Sequence, residues 1–434
     1  MKKSKRFIVS FFIVCFMLVA MFGMAGGGKK AEKEAPAVAE PTKVTFFHYF
    51  SGTLAGGVDE MVKVFNKENP EYLLTHTPVD HEAFKTSIRV MLAGGNPPDL
   101  FSYWAGARVQ FVVDAGRLAP IDDVFEANNL EELFPPAVLQ GCTYSGKKYF
   151  LPLTQHFCAF FYNKRIFEEV GVEPPETWDQ FLEVCKKIKA AGITPISLGS
   201  RERWPAQFWL DYPLLRTAGP EYRAKLMSGE ASYTDPEVIK AWELWKTCAD
   251  NGYFNENPNA YDWAEAATMV GTGEAAMNLM GTWFMQLDES IGWKPGVDYD
   301  FFPFPIVDPS IPDVAVGPID GVVLPKEAKT PEAAKQVMAR LADVGPQTTF
   351  NTGSGALAPN KNVPDSTYNE LQLRVKELLA KIPNWAFNYD LATPPPVADV
   401  GLNAFSKFLD SPADYKKILA ETESLAKAAF SELK

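Results

Sequence analysis

Tyr49, Tyr103, Trp104, Trp204, Trp283 and Trp385 fall at strand ends and turns, not at the three-to-four-residue spacing of a helix core. In an open α/β sheet, ligands sit in the crevice beyond the carboxyl ends of the strands, where side chains so placed project. An indole or phenol face can cover the C–H side of a sugar ring while nearby amides and charges bond its hydroxyls. A single tryptophan is as readily a buried core residue, so the expectation rests on several converging.

Catalytic chemistry has little to stand on. The chain has no G-x-S-x-G elbow, no H-E-x-x-H and no G-x-x-x-x-G-K-[ST] phosphate loop. His48, His76, His81 and His156 are scattered, and Cys142, Cys158, Cys185 and Cys248 lack metal-ligand spacing and read as buried free thiols, with one disulfide of undetermined pairing left open by an oxidising compartment. No catalytic residue, metal or cofactor is assigned. Gly271-Thr272-Gly273-Glu274-Ala275-Ala276 matches a dinucleotide fingerprint in letters, but helix precedes it and strand follows, the reverse of what that site requires. A secreted glycoside hydrolase stays as an alternative, because two carboxylates suffice for it. With 54 acidic residues, finding some pair decides nothing.

The elements that must position these residues alternate. Strand 43–49 is followed by a helix over 57–69 with Val58, Met61, Val62 and Phe65 at helical spacing. Helix 81–93, a Gly-Gly-Asn-Pro-Pro turn, strand 99–104 and helix 108–114 continue the α/β pattern. Further on come strand 157–162, helix 177–191 with Thr177 as N-cap and Gln180 at the box position, strand 195–198, helices 236–252 and 263–270, and strand 275–279. Ile418, Leu419, Leu425 and Phe430 mark an amphipathic final helix.

The amino terminus reads as an export signal over 1–28: Lys2, Lys3, Lys5 and Arg6, an apolar run over 7–22, and small residues at Gly23-Met24-Ala25. Gly26-Gly27-Gly28 stand where a lipid-anchor cysteine could be, so the mature protein is expected to be soluble, periplasmic or at the cell surface. Residues 29–41 are too polar to fold and read as a spacer. The remaining length exceeds what one core usually supports. A net charge of -12 argues against nucleic acid or an anionic membrane as partner.

Four segments together resemble one family. Gly273-Glu274-Ala275-Ala276-Met277 followed by Gly281-Thr282-Trp283, the stretch GGNPPDLFSYW over 94–104, Phe161-Tyr162-Asn163-Lys164 with Pro174-Pro175-Glu176-Thr177-Trp178, and GSGALAPNK over 353–361 are similar, in order and spacing, to the maltose-binding-protein-like solute-binding proteins of ATP-binding-cassette (ABC) sugar importers. The resemblance implies an α/β protein of the two-lobe periplasmic-binding-protein type II fold, both lobes discontinuous, hinged around a central cleft. The first lobe is expected from 42–155 and 303–352, the second from 156–302 and 353–434. It implies a saccharide guest, a membrane-embedded permease as partner, a monomer, and no enzymatic activity. Carried over residue by residue, Trp104 and Arg108 match contacts from the first lobe, with Tyr103 beside them. Trp283 matches the stacking platform of the second lobe, and Arg203 and Trp204 fall in another second-lobe region. Tyr49, Ser51 and Asp320 fall where hydroxyl-bonding side chains are placed. His156 stands where maltodextrin binders carry a glutamate, and Ser51 near the place of an aspartate, so a different saccharide is expected. The alternative within transport is a polyamine, amino acid or polyol phosphate. Asp99, Asp320 and Asp399 would serve a cation, and Arg108, Arg201 and Arg203 a phosphate.

Overall fold

A computed structural model describes residues 40–382 and 384–433. The signal and all but the last two spacer residues lie outside that range. No described helix is long and apolar enough to cross a membrane.

Two sheets form two cores. The first has the strand order Tyr72–Pro78, Thr42–His48, Leu100–Trp104, Ile319–Val323, Phe150–Gln155. Its first three strands are parallel, and Ile319–Val323 runs antiparallel to both neighbours. Every residue of Leu100–Trp104 and Ile319–Val323 is buried, as expected of strands covered by helices on both faces. Strand Tyr72–Pro78 escapes a sequence reading because it lies at the sheet edge and carries polar Thr75, His76 and Thr77.

The second sheet has the order Tyr299–Phe302, Cys158–Asn163, Ala275–Gly281, Thr194–Ser197. The helices Pro395–Asp410 and Tyr415–Glu432 pack on its side, Phe408 against Trp245 with ring centroids 4.3 Å apart. The inward stripe of the last helix is Ile418, Thr422 and Ala426; Leu425 is half exposed, because steps of four residues keep one face toward the core. Cys142 lies in the first core and Cys158, Cys185 and Cys248 in the second, all buried and free. Burial pushes the Cys142 thiol up to about 12.

Phe304, Val314 and Val316 pack into the second core, so the stretch 303–317 does not join the first, as the sequence suggested. Strand Val314–Val316 pairs with Asn384–Ala386, and the return passage lies at Gly317-Pro318. The passage there is tight: a β-carbon on Gly317 would fall 1.9 Å from the His156 carbonyl oxygen, and only glycine admits such an approach. Three passages between the cores therefore run side by side. His156 N–H donates to the Pro318 carbonyl at 3.0 Å, and Gln155 and Leu357 exchange backbone hydrogen bonds.

Asp99 holds the first core together. Its carboxylate accepts from the Thr45 N–H and hydroxyl at 2.9 and 2.7 Å, and from the Lys329 and Thr330 N–H groups at 3.0 and 2.9 Å. With these ties it is not available to a cationic guest. Asp99→Ala strands four donors and should lower the unfolding free energy by about 1–3 kcal/mol, measured by urea denaturation.

Candidate functional site

The carboxyl ends of the strands in both sheets open onto one cavity. Tyr49 follows strand Thr42–His48, Trp104 ends Leu100–Trp104, and Asp320 and Thr154 lie beside Trp104 on the next two strands in register. From the second sheet, Trp283 follows Ala275–Gly281 and Trp204 follows Thr194–Ser197. All six line the cavity. Gly281 is dictated by this arrangement: a β-carbon there would lie 2.0 Å from the Trp283 ring.

The aromatic walls are built in pairs. Tyr49 and Trp104 stack, centroids 4.1 Å apart and planes at 12°. Trp204 meets Trp283 edge-on at 5.8 Å, and His156 packs against Trp283 at 5.3 Å. Trp204 also approaches His81 at 6.1 Å across the gap.

A polar chain runs along the floor. The Tyr49 hydroxyl donates to Asp320 Oδ1 at 2.6 Å, Asp320 Oδ2 lies 3.6 Å from His156 Nε2, and His156 Nδ1 shares a hydrogen bond with the Thr282 hydroxyl at 2.8 Å. Burial raises the Asp320 carboxyl to about 7, against the Tyr49 hydrogen bond that favours its charged form. Burial alone lowers His156 to about 3, so its imidazole is neutral.

The charged residues at the walls are matched. Arg108 Nη2 bonds Asp390 Oδ2 at 2.8 Å, both buried, and Asp390 N–H donates to Gln207. Lys85 bonds Glu82 at 2.7 Å. Burial raises the Glu82 carboxyl, but His81 and Lys85 outweigh it and hold the pKa near about 2. Arg108 and Lys85 both approach the Trp104 ring, at 5.4 and 5.9 Å.

Of the ten residues expected from sequence, Tyr49, Trp104, Arg108, His156, Trp204, Trp283 and Asp320 line the cavity, and three do not. The Ser51 hydroxyl donates to the Val79 carbonyl. Tyr103 is buried in the first core, because neighbours on a strand point to opposite faces. Arg203 adopts a left-handed φ of 67° and turns outward to Asn403 and Asp399. Sequence reasoning missed His81, Lys85, Thr154, Gln207, Gln286, Asn388 and Asp390. Most of them sit on helix starts and turns that no motif marks.

Two α/β lobes joined by side-by-side passages and meeting over an aromatic, polar cavity define a hinged small-molecule binding protein. The chain belongs to the bacterial extracellular solute-binding protein family, whose model matches residues 51–347. It is 30% identical over 388 residues to an uncharacterized ABC transporter extracellular-binding protein of Pyrococcus horikoshii, covering 86% of this chain and 85% of that one. A probable sugar-binding periplasmic protein of Mesorhizobium japonicum is 26% identical over 294 residues, 66% of this chain and 68% of that one. The solved structure of the bacterial solute receptor AcbH, described as exclusively preferring β-D-galactopyranose, superposes with a TM-score of 0.83 at 27% identity, over 90% of this chain and 99% of that one.

The raised Asp320 pKa has a stability consequence. An aspartate in the unfolded chain titrates near about 3.9, so between that pH and about 7 the folded form holds a proton the unfolded form has lost. This contribution is complete below pH 4 and is lost as pH rises through 7. His156, kept neutral by burial, contributes with the opposite slope below about 6.5, so the Asp320 effect is read as a difference: the unfolding free energy of Asp320→Asn minus that of the parent should rise between pH 4 and 7, checked by denaturant titrations of both at pH 4 to 8.

Proposed function

We propose that this protein captures a sugar or oligosaccharide between its lobes and presents the closed form to the membrane permease of an ABC importer. The observation that carries this reading is the meeting of Trp104, from one core, with Trp204 and Trp283, from the other, around a single cavity that also holds hydroxyl-bonding groups. Ligand shifts such a lobe equilibrium only through its greater affinity for the closed state, and contacts from both lobes supply that difference. The sugar-binding description of the Mesorhizobium relative and the galactopyranose preference of AcbH support the same guest class.

The rival solutes fit less well. A phosphate would need Arg108, Arg201 and Arg203 together, yet Arg201 is paired with Asp262 and Glu265 and Arg203 with Asp399. A polyamine would need free acids, yet Asp390 and Glu82 are matched by Arg108 and Lys85, Asp399 by Arg203, Asp99 is tied to backbone, and Asp320 keeps its proton up to about pH 7. The protein acts by binding and release, without turnover, cofactor or metal, as an exported monomer freed from its signal over 1–28.

Trp104→Ala and Trp283→Ala should each weaken sugar binding by about 30-fold, the loss of a well-packed aromatic contact. Calorimetry with the best sugar from a thermal-shift screen measures it. Unchanged affinity in both variants contradicts the site.

A further inference from the structure

Five polar atoms on cavity-lining residues are buried with no hydrogen-bond partner among the described residues: Arg108 Nε, Thr154 Oγ1, Trp204 Nε1, Gln286 Oε1 and Asn388 Oδ1. Buried polar groups are paired in the great majority of cases, and these five belong to residues around this one cavity. Two are donors, two are acceptors, and the Thr154 hydroxyl is either. Hydroxyl groups, which both donate and accept, answer such a mixture; a purely cationic or purely anionic guest does not.

Size and charge narrow the guest further. The cavity gives about 80 Å³ to the centres of water-sized groups. One water needs about 10–15 Å³ on that measure, so the space holds on the order of six. That is room for one sugar ring with its hydroxyls between the walls. His81 meets Trp204 across the gap, and the Gln286 amide donates to the Ser354 carbonyl at 2.7 Å. Both wall cations already have their acids at 2.8 and 2.7 Å, and Asp320 holds its proton below about pH 7, so below that pH no unmatched charge faces the guest.

Resting on the sugar-binding reading above, we infer that the guest is a single uncharged monosaccharide, and that Thr154, Gln286 and Asn388 are specificity-determining contacts to its hydroxyls. Thr154 stands in register with Asp320 on the adjacent strand, where one ring can meet both.

Calorimetry on the mature protein with hexoses and pentoses, their di- and trisaccharides, hexuronates and spermidine tests this. At least one neutral monosaccharide should bind about 100-fold more tightly than any disaccharide containing it or its uronate. A di- or trisaccharide that binds as tightly as its component ring overturns the single-ring inference and leaves the sugar reading standing. A preferred uronate overturns the uncharged guest. Binding of spermidine and of no sugar overturns the inference and the sugar reading together. Thr154→Val, which removes the hydroxyl and keeps the shape, should weaken monosaccharide binding about tenfold while the melting temperature of the free protein stays or rises. Unchanged affinity, or a lowered melting temperature, refutes the assignment of Thr154.

Discussion

The cleft depends on three stretches of backbone that pass between two cores side by side and hydrogen-bond to one another. His156 bonds Pro318 and Gln155 bonds Leu357, and the missing side chain of Gly317 lets two of the passages touch. Because Ile319–Val323 returns into the middle of the first sheet, neither core can be drawn from one continuous stretch. The cores are joined along this seam, so relative movement opens the side away from it. Binding across the gap then becomes coupled to closure without any further device.

The same seam carries the polar floor. Tyr49, Asp320, His156 and Thr282 link the end of the first strand of one sheet to the turn beyond the central strand of the other. Buried charge without a partner is costly, and the site meets that cost in two ways. Asp320 keeps its proton to higher pH and His156 stays neutral, while Arg108 and Asp390 form a buried pair with Gln207 supporting the acid.

Apart from the edge strand Tyr72–Pro78, most of the strands that build the first half of each core were legible from period and punctuation. The helix His81–Ala93 begins at the Asp80 cap, and Trp178–Ala190 begins with the Thr177–Gln180 capping box. What could be read of the site came from residues at strand ends: Trp104, Trp283 and Asp320. What could not be read came from distance along the chain. A buried arginine demands an acid, but nothing in the sequence says that Arg108 will find Asp390, 282 residues away. Tyr103 shows the opposite error, since adjacency to Trp104 on a strand guarantees the other face. The stretch 303–317 was misassigned because its apolar residues would suit either core; its backbone pairing with Asn384–Ala386 decides the matter.

The four buried cysteines give the molecule a further property. One sits in the first core and three in the second, each unpaired, and the thiols are held in their unreactive protonated form by burial. Among the described residues no disulfide fastens one half to the other. Each half therefore carries its own concealed alkylation tag, silent while its interior is intact and exposed when that half alone comes apart.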